Sequence, residues 1–181
     1  MKKAAIPSSA WARIRLFAMD VDGVLTDGSV SISSDGTETK RFSIIDGLGL
    51  ALLRDQGLEL AWISGRQSMA TTLRATELRI AHVVQGRRDK LPALSSLAAD
   101  LGITLRECAY MGDDFIDAPA IAAAGIGISV PTALPAARAA ADYVTRRHAG
   151  FGAVREVCDL LLAARSKHAG NPESRRRTKA L

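Results

Sequence analysis

The sequence predicts a doubly wound parallel α/β sheet, Rossmann-like, with a β-hairpin inserted after its first strand. Three observations carry this. Short apolar runs alternate with helix-like stretches through nearly the whole chain. The runs are continuously apolar rather than alternating, which marks strands buried on both faces of a parallel sheet. Acidic, hydroxyl and basic residues gather just past the ends of those runs, where open parallel sheets bind ligands. With 181 residues, 48% of them hydrophobic, the chain can build one domain with a sizeable core. That domain is placed at residues 10–165, with 1–9 as a short extension and 166–181 as a basic tail without stable structure.

The elements follow in order. The first strand, Leu16–Met19, ends at Asp20-Val21-Asp22-Gly23. Residues 30–33 and 39–42 flank Ser34-Asp35-Gly36, a hairpin with a short glycine-containing loop. A helix over 48–56 stops at Gly57, and the strand 58–63 ends at Ser64-Gly65-Arg66. A helix over 69–78 leads to a strand at 81–84, and a second over 90–101 stops at Gly102. The strand 108–111 opens onto Gly112-Asp113-Asp114. A helix at 119–124, a strand at 126–130, a helix at 134–141, a short strand at 142–145 and a helix at 153–164 complete the series.

The net charge of +5 is local: from Arg165 onward six basic residues face one acid, Glu173. Aromatic residues, 4% of the chain, do not interleave with the basic ones, so no nucleic-acid partner is expected. Pro7 interrupts the basic start before a signal-peptide core develops, and no run reaches the ~20 apolar residues of a membrane span. No membrane association is expected. Cys108 and Cys158 form neither a disulfide framework nor a metal knuckle and read as reduced core thiols of a cytoplasmic protein.

Asp20 and Asp22, one residue apart at a strand end, set a nucleophile beside a proton donor and suit phosphoryl transfer through an aspartyl phosphate. A calcium loop is excluded, because Val24 stands at the third ligand position and Ser31 where the bidentate Glu belongs. Gly112-Asp113-Asp114-Phe115-Ile116-Asp117 supplies more carboxylates at another strand end. Asp117, with Pro119 behind it, reads equally as a helix cap. If Asp113 approached Asp20 to ~4 Å, their repulsion would be on the order of 4 kcal/mol at an effective dielectric of about 20. A divalent cation resolves that conflict, and Mg2+ favours one or two carboxylates, waters and substrate phosphate. Ser64, Gly65 and Arg66 offer a hydroxyl, an open backbone N–H and a guanidinium to a phosphoryl group. Lys90 adds a cation before a helix.

That ordered combination resembles the phosphohydrolase branch of the haloacid dehalogenase superfamily across residues 14–164. The resemblance implies Asp20 as nucleophile and Asp22 as the acid that protonates the departing alcohol and then activates water. It implies Ser64 and Lys90 on the phosphoryl oxygens, and Mg2+ on the Asp20 side chain, the Asp22 backbone carbonyl and Asp113. Asp117 and, more weakly, Asp114 would support that site. Asp20–Gly28, the hairpin, Asp46-Gly47-Leu48-Gly49, Ser64-Gly65-Arg66, Gln85-Gly86, Asp142-Tyr143-Val144-Thr145 and the segment from Gly152 to Asp159 are similar to a subgroup with no cap domain that hydrolyses phosphorylated 2-keto sugar acids. This closer likeness implies 3-deoxy-D-manno-octulosonate 8-phosphate as substrate, in lipopolysaccharide precursor synthesis, with N-acylneuraminate 9-phosphate as the alternative. It also implies a homotetramer assembled through the hairpins, with Arg66, Lys90 and Asp46 facing the substrate and neighbouring subunits helping to close the site.

Phe151 stands where many members of the subgroup carry an arginine, which removes any substrate contact that arginine would make. A non-enzymatic receiver-like phosphoacceptor domain uses similar residues, but its acceptor follows the third strand; here Gln85-Gly86 occupies that position and Asp-Val-Asp follows the first.

Overall fold

Leu16–Met19 (β1) has no exposed residue and lies inside a six-stranded parallel sheet. The computed structural model describes residues 5–169. The other sheet strands are Glu59–Ile63 (β4), His82–Val84 (β5), Cys108–Gly112 (β6), Ile126–Ser129 (β7) and Tyr143–Val144 (β8). Their order is β5-β4-β1-β6-β7-β8, all pairings parallel. The chain runs outward from β1 through β4 to β5, then returns to the far side of β1 for β6. The carboxyl ends of β1 and β6 therefore flank the switch in strand order, where open α/β sheets bind ligands.

Between β1 and the next helix the only insertion is the hairpin Ser31–Ile32 (β2) with Glu38–Thr39 (β3), paired Ser31 to Thr39 and Ile32 to Glu38. It is shorter than the sequence predicts, and its second strand does not extend to residue 42. Lys40 instead turns into the protein, and Phe42 stacks on Trp62 with ring centroids 6.2 Å apart.

Helices Ser8–Ala12 (α1), Ile44–Asp55 (α2), Met69–Glu77 (α3), Lys90–Asp100 (α4), Ala118–Ala123 (α5), Pro135–Ala140 (α6) and Ala153–Ala169 (α7) flank the sheet. α2 begins four residues before the predicted start, capped by Ser43, whose hydroxyl accepts the Asp46 N–H. Gly47 and Gly49, poor helix formers in isolation, hid this turn. Both are packing positions: a Cβ on Gly47 would overlap the Arg74 guanidinium, and one on Gly49 would crowd Arg155 and Cys158 of α7. Leu50 and Leu53 of α2 and Val154, Val157 and Leu161 of α7 are all buried, each contributing roughly 1.5–3 kcal/mol.

Both outer boundaries differ from the sequence reading. α1 begins inside the predicted extension, at Ser8, and is anchored by buried Trp11, edge-on to Tyr143 at 5.8 Å. α7 runs to Ala169, because Arg165 ties it to the carbonyls of Ile14 and Gln56. The rest of the predicted basic tail, 170–181, lies outside the described residues. The edge strands β5 and β8 are not buried on both faces, Val83 and Val144 being exposed.

Candidate active site

Asp20 leaves β1 with its N–H on the Met111 carbonyl of β6 at 2.9 Å. Its Oδ1 accepts the Val21 N–H at 2.7 Å and lies 2.8 Å from Lys90 Nζ, whereas Oδ2 accepts no hydrogen bond from any described residue. The turn that follows closes on the Val21 carbonyl, which accepts the N–H groups of Val24, Leu25 and Thr26. Gly23 is required there twice over: its φ is +89°, and a Cβ would overlap the Asp113 carboxylate.

Lys90, in the first turn of α4, has a fully buried side chain. Nζ donates to the Ile63 carbonyl at 2.7 Å and pairs with Asp20 Oδ1 at 2.8 Å and Asp117 Oδ1 at 3.2 Å. Those three neighbours take up the three protons of an ammonium group. Its contribution here is thus charge and position rather than a free donor, unlike the direct phosphoryl contact the sequence implies.

Asp117 is likewise saturated. Oδ1 accepts the Tyr110 hydroxyl at 2.8 Å, and Oδ2 accepts the N–H groups of Asp113 and Asp114 at 3.2 and 3.1 Å. It fixes the acidic turn after β6 rather than offering a free oxygen. Asp114 turns to its own loop, where its carboxylate accepts the Phe115 N–H.

Ligand oxygens of Asp20, Asp113 and Asp117 lie within 4.8 Å of one another. Burial, then Asp117, pushes the Asp20 carboxyl up to about 6, with Lys90 opposing. Burial, then Asp20, Asp117 and Asp114, pushes Asp113 up to about 8. Asp113 Oδ1 is buried with no hydrogen-bond partner. A cluster of hard oxygen donors, negative in excess of its one lysine and holding an orphaned carboxylate oxygen, fits a divalent cation of the Mg2+ type.

Ser64, the residue after β4, is buried, its hydroxyl oxygen accepting the Arg66 N–H at 3.1 Å. Gly65 follows, with no protein backbone within 4 Å of the space a side chain would take. Arg66 is exposed and donates to Glu38 Oε2 at 2.8 Å; the Ser68 hydroxyl holds Glu38 Oε1. Ser68, then Arg66, keeps the Glu38 carboxyl below its usual range.

Asp46 departs from its expected place. It is buried, and its oxygens accept the N–H groups of Gly152 at 3.2 Å and Arg155 at 2.7 Å, capping α7. Both oxygens are engaged, so it does not face a substrate. Asp22 is half-buried, and its carboxylate contacts Lys40 Nζ at 2.7 and 2.9 Å. Lys40, Glu38 and Tyr110 escaped the sequence reading. The only signal for the first two was their spacing of two residues beside the hairpin, which in extended chain points both to one side.

Residues 60–157 match the family model of haloacid dehalogenase-like hydrolases. The 3-deoxy-D-manno-octulosonate 8-phosphate phosphatase of Yersinia pestis is 43% identical over 88% of this chain and 85% of its own length. That of Escherichia coli K12 is 44% identical over 85% and 82%. The crystal structure of the Moraxella catarrhalis 3-deoxy-D-manno-octulosonate 8-phosphate phosphatase, in complex with a magnesium ion, a phosphate ion and a KDO molecule, superposes with a TM-score of 0.87. It is 51% identical and covers 88% of this chain and 92% of that one.

Proposed function

This chain belongs to the haloacid dehalogenase-like hydrolases, and from that premise we propose that it is a Mg2+-dependent phosphatase converting 3-deoxy-D-manno-octulosonate 8-phosphate to the free sugar acid and phosphate, a lipopolysaccharide precursor step. The observation that carries the reading is Asp20: a buried carboxylate with Oδ1 anchored by Lys90 and a backbone N–H, and Oδ2 unengaged beside the acid cluster. Kinship with phosphatases of that sugar acid supports the substrate.

In this mechanism Asp20 attacks phosphorus, the bond to the sugar oxygen breaks, and Asp22 gives that oxygen its proton. Asp22, now a carboxylate, takes a proton from water as the water attacks the aspartyl phosphate; the bond to Asp20 breaks and phosphate leaves. The Ser64 hydroxyl and Gly65 N–H hold phosphoryl oxygens, and Lys90 balances the buried carboxylates. The side chains of Asp20 and Asp113 with the Asp22 backbone carbonyl would hold Mg2+, which supplies positive charge to the phosphoryl group.

A hydrolysis panel with Mg2+ tests the substrate. The specificity constant should be highest for 3-deoxy-D-manno-octulosonate 8-phosphate, below it for N-acylneuraminate 9-phosphate, and lowest for glucose 6-phosphate. Arg66 presents a guanidinium to the carboxylate that hexose phosphates lack. Arg66→Ala should therefore lose about 10–100-fold on the sugar acid phosphate, the worth of one charged hydrogen bond, and under about threefold on glucose 6-phosphate. Equal constants for all three substrates in the wild type would remove the assignment.

The reading includes a homotetramer whose neighbouring subunits close the capless site. Ile44, Leu48 and Leu52 line one side of α2 at four-residue spacing and are all exposed, as are Met69 and Leu73 of α3 and Ile32 of the hairpin. That much exposed apolar surface supports burial against other copies. Phe42 does not belong to this surface, being stacked on Trp62. The double variant Leu48→Asp, Met69→Asp should sediment as smaller species with reduced activity, its catalytic residues intact. A fully active wild-type monomer in light scattering would refute the assembly. Buried, unpaired Cys108 and Cys158 support a cytoplasmic, reducing setting. Among the described residues no helix is long and apolar enough to cross a membrane.

A further inference from the structure

We propose that Lys40, reaching in from the hairpin, is the positioning residue of Asp22, an inference that rests on the reading of Asp22 as the proton carrier. The Lys40 side chain is fully buried. Its Nζ lies 2.7 Å from Asp22 Oδ1 and 2.9 Å from Oδ2, donates to Thr71 Oγ1 at 3.3 Å, and stands 4.0 Å from Glu38 Oε1. Taking an ammonium group out of water costs several kcal/mol unless it is paired. Asp22 is its near partner, and no other described side chain holds the Asp22 carboxylate.

Asp22 sits on a turn, with part of its side chain in solvent. Left alone, it would exchange between rotamers pointing to water and to the reacting atoms. A cation astride both oxygens removes that freedom. Lys40 is itself fixed on its far side, because Thr71 is fully buried and its N–H is bonded to Ser68 Oγ at the start of α3. Glu38, two residues earlier and on β3, meanwhile holds Arg66. The end of the hairpin, Glu38 on β3 and Lys40 just after it, thus reaches both the proton carrier and the rim guanidinium, and it does so from within the same subunit.

Lys40→Met should fold, shown by an unchanged circular dichroism spectrum, and lose about 10–100-fold in kcat, the scale of a misplaced catalytic group. KM for 3-deoxy-D-manno-octulosonate 8-phosphate should stay within about threefold, since a pure positioning loss falls on kcat. The deciding readout is a double-mutant cycle with Asp22→Asn. If Lys40 acts through Asp22, Lys40→Met should cost less than about threefold once Asp22 is Asn, because there is no proton carrier left to misplace. Thr71→Val, which removes only the amine's other acceptor, should give a smaller kcat loss that also vanishes in the Asp22→Asn background, and it decides the matter if Lys40→Met fails to fold. Wild-type kcat in Lys40→Met, or the same loss in both backgrounds, overturns the inference alone. A nearly wild-type Asp22→Asn overturns the reading of Asp22, and the inference with it.

Discussion

Asp20→Asn is expected to fold like the wild type and to lose at least about 10⁴-fold in kcat, the scale on which covalent hydrolases respond to loss of the nucleophile. The amide keeps the shape of the side chain, and its oxygen can still accept the Val21 N–H that anchors Oδ1. It cannot attack phosphorus. Nor should the fold suffer, because the substitution also removes the repulsion from Asp117 that helps raise the Asp20 carboxyl to about 6, and Lys90 retains Asp117 and the Ile63 carbonyl. Phosphate release from the purified variant, with its mass checked for deamidation back to Asp, measures the loss. Turnover near the wild-type rate would exclude the covalent route.

What the sequence shows of this site follows from where each residue sits. Asp20, Ser64 and Asp113 lie just past strand ends, and a parallel sheet brings strand ends to one edge whatever the helices between them do. Asp117 was legible only in half: Pro119 and the cap reading pointed to a helix start, while its grip on Tyr110 and on the Asp113 and Asp114 N–H groups depends on packing across β6. Asp46 misled for a similar reason. Its expected substrate contact rests on the likeness to the capless subgroup alone, whereas the glycines beside it let α2 approach Arg74 and α7, and the carboxylate caps a helix more than a hundred residues later in the chain. Lys40 was the hardest to see. A lysine beside a hairpin is ordinarily solvated, and only the fold reveals that this one is turned inward onto Asp22.

Stripping the divalent ion is expected to cost about 10³-fold or more in turnover, since such ions contribute several kcal/mol of charge stabilisation to phosphoryl transfer. The pH dependence of its return is the sharper test. Without the ion, the Asp113 carboxyl stands at about 8 against the 3.8 of an ordinary aspartate, raised first by burial and then by Asp20, Asp117 and Asp114. At neutral pH the ion-free folded protein therefore holds a proton on Asp113 that the unfolded chain has released. That excess proton in the folded state means ion-free stability falls as pH rises from about 4 toward 8. The ion binds the deprotonated carboxylate and displaces the proton, so its affinity should climb through pH 6 to 8 and level off above. The gain in melting temperature from added Mg2+ over EDTA should then widen between pH 6 and pH 8. Calorimetry of Mg2+ binding at pH 7, in buffers of different ionisation enthalpy, should detect proton release approaching one per ion. A gain independent of pH, with no protons released, would mean that Asp113 does not ligate the ion.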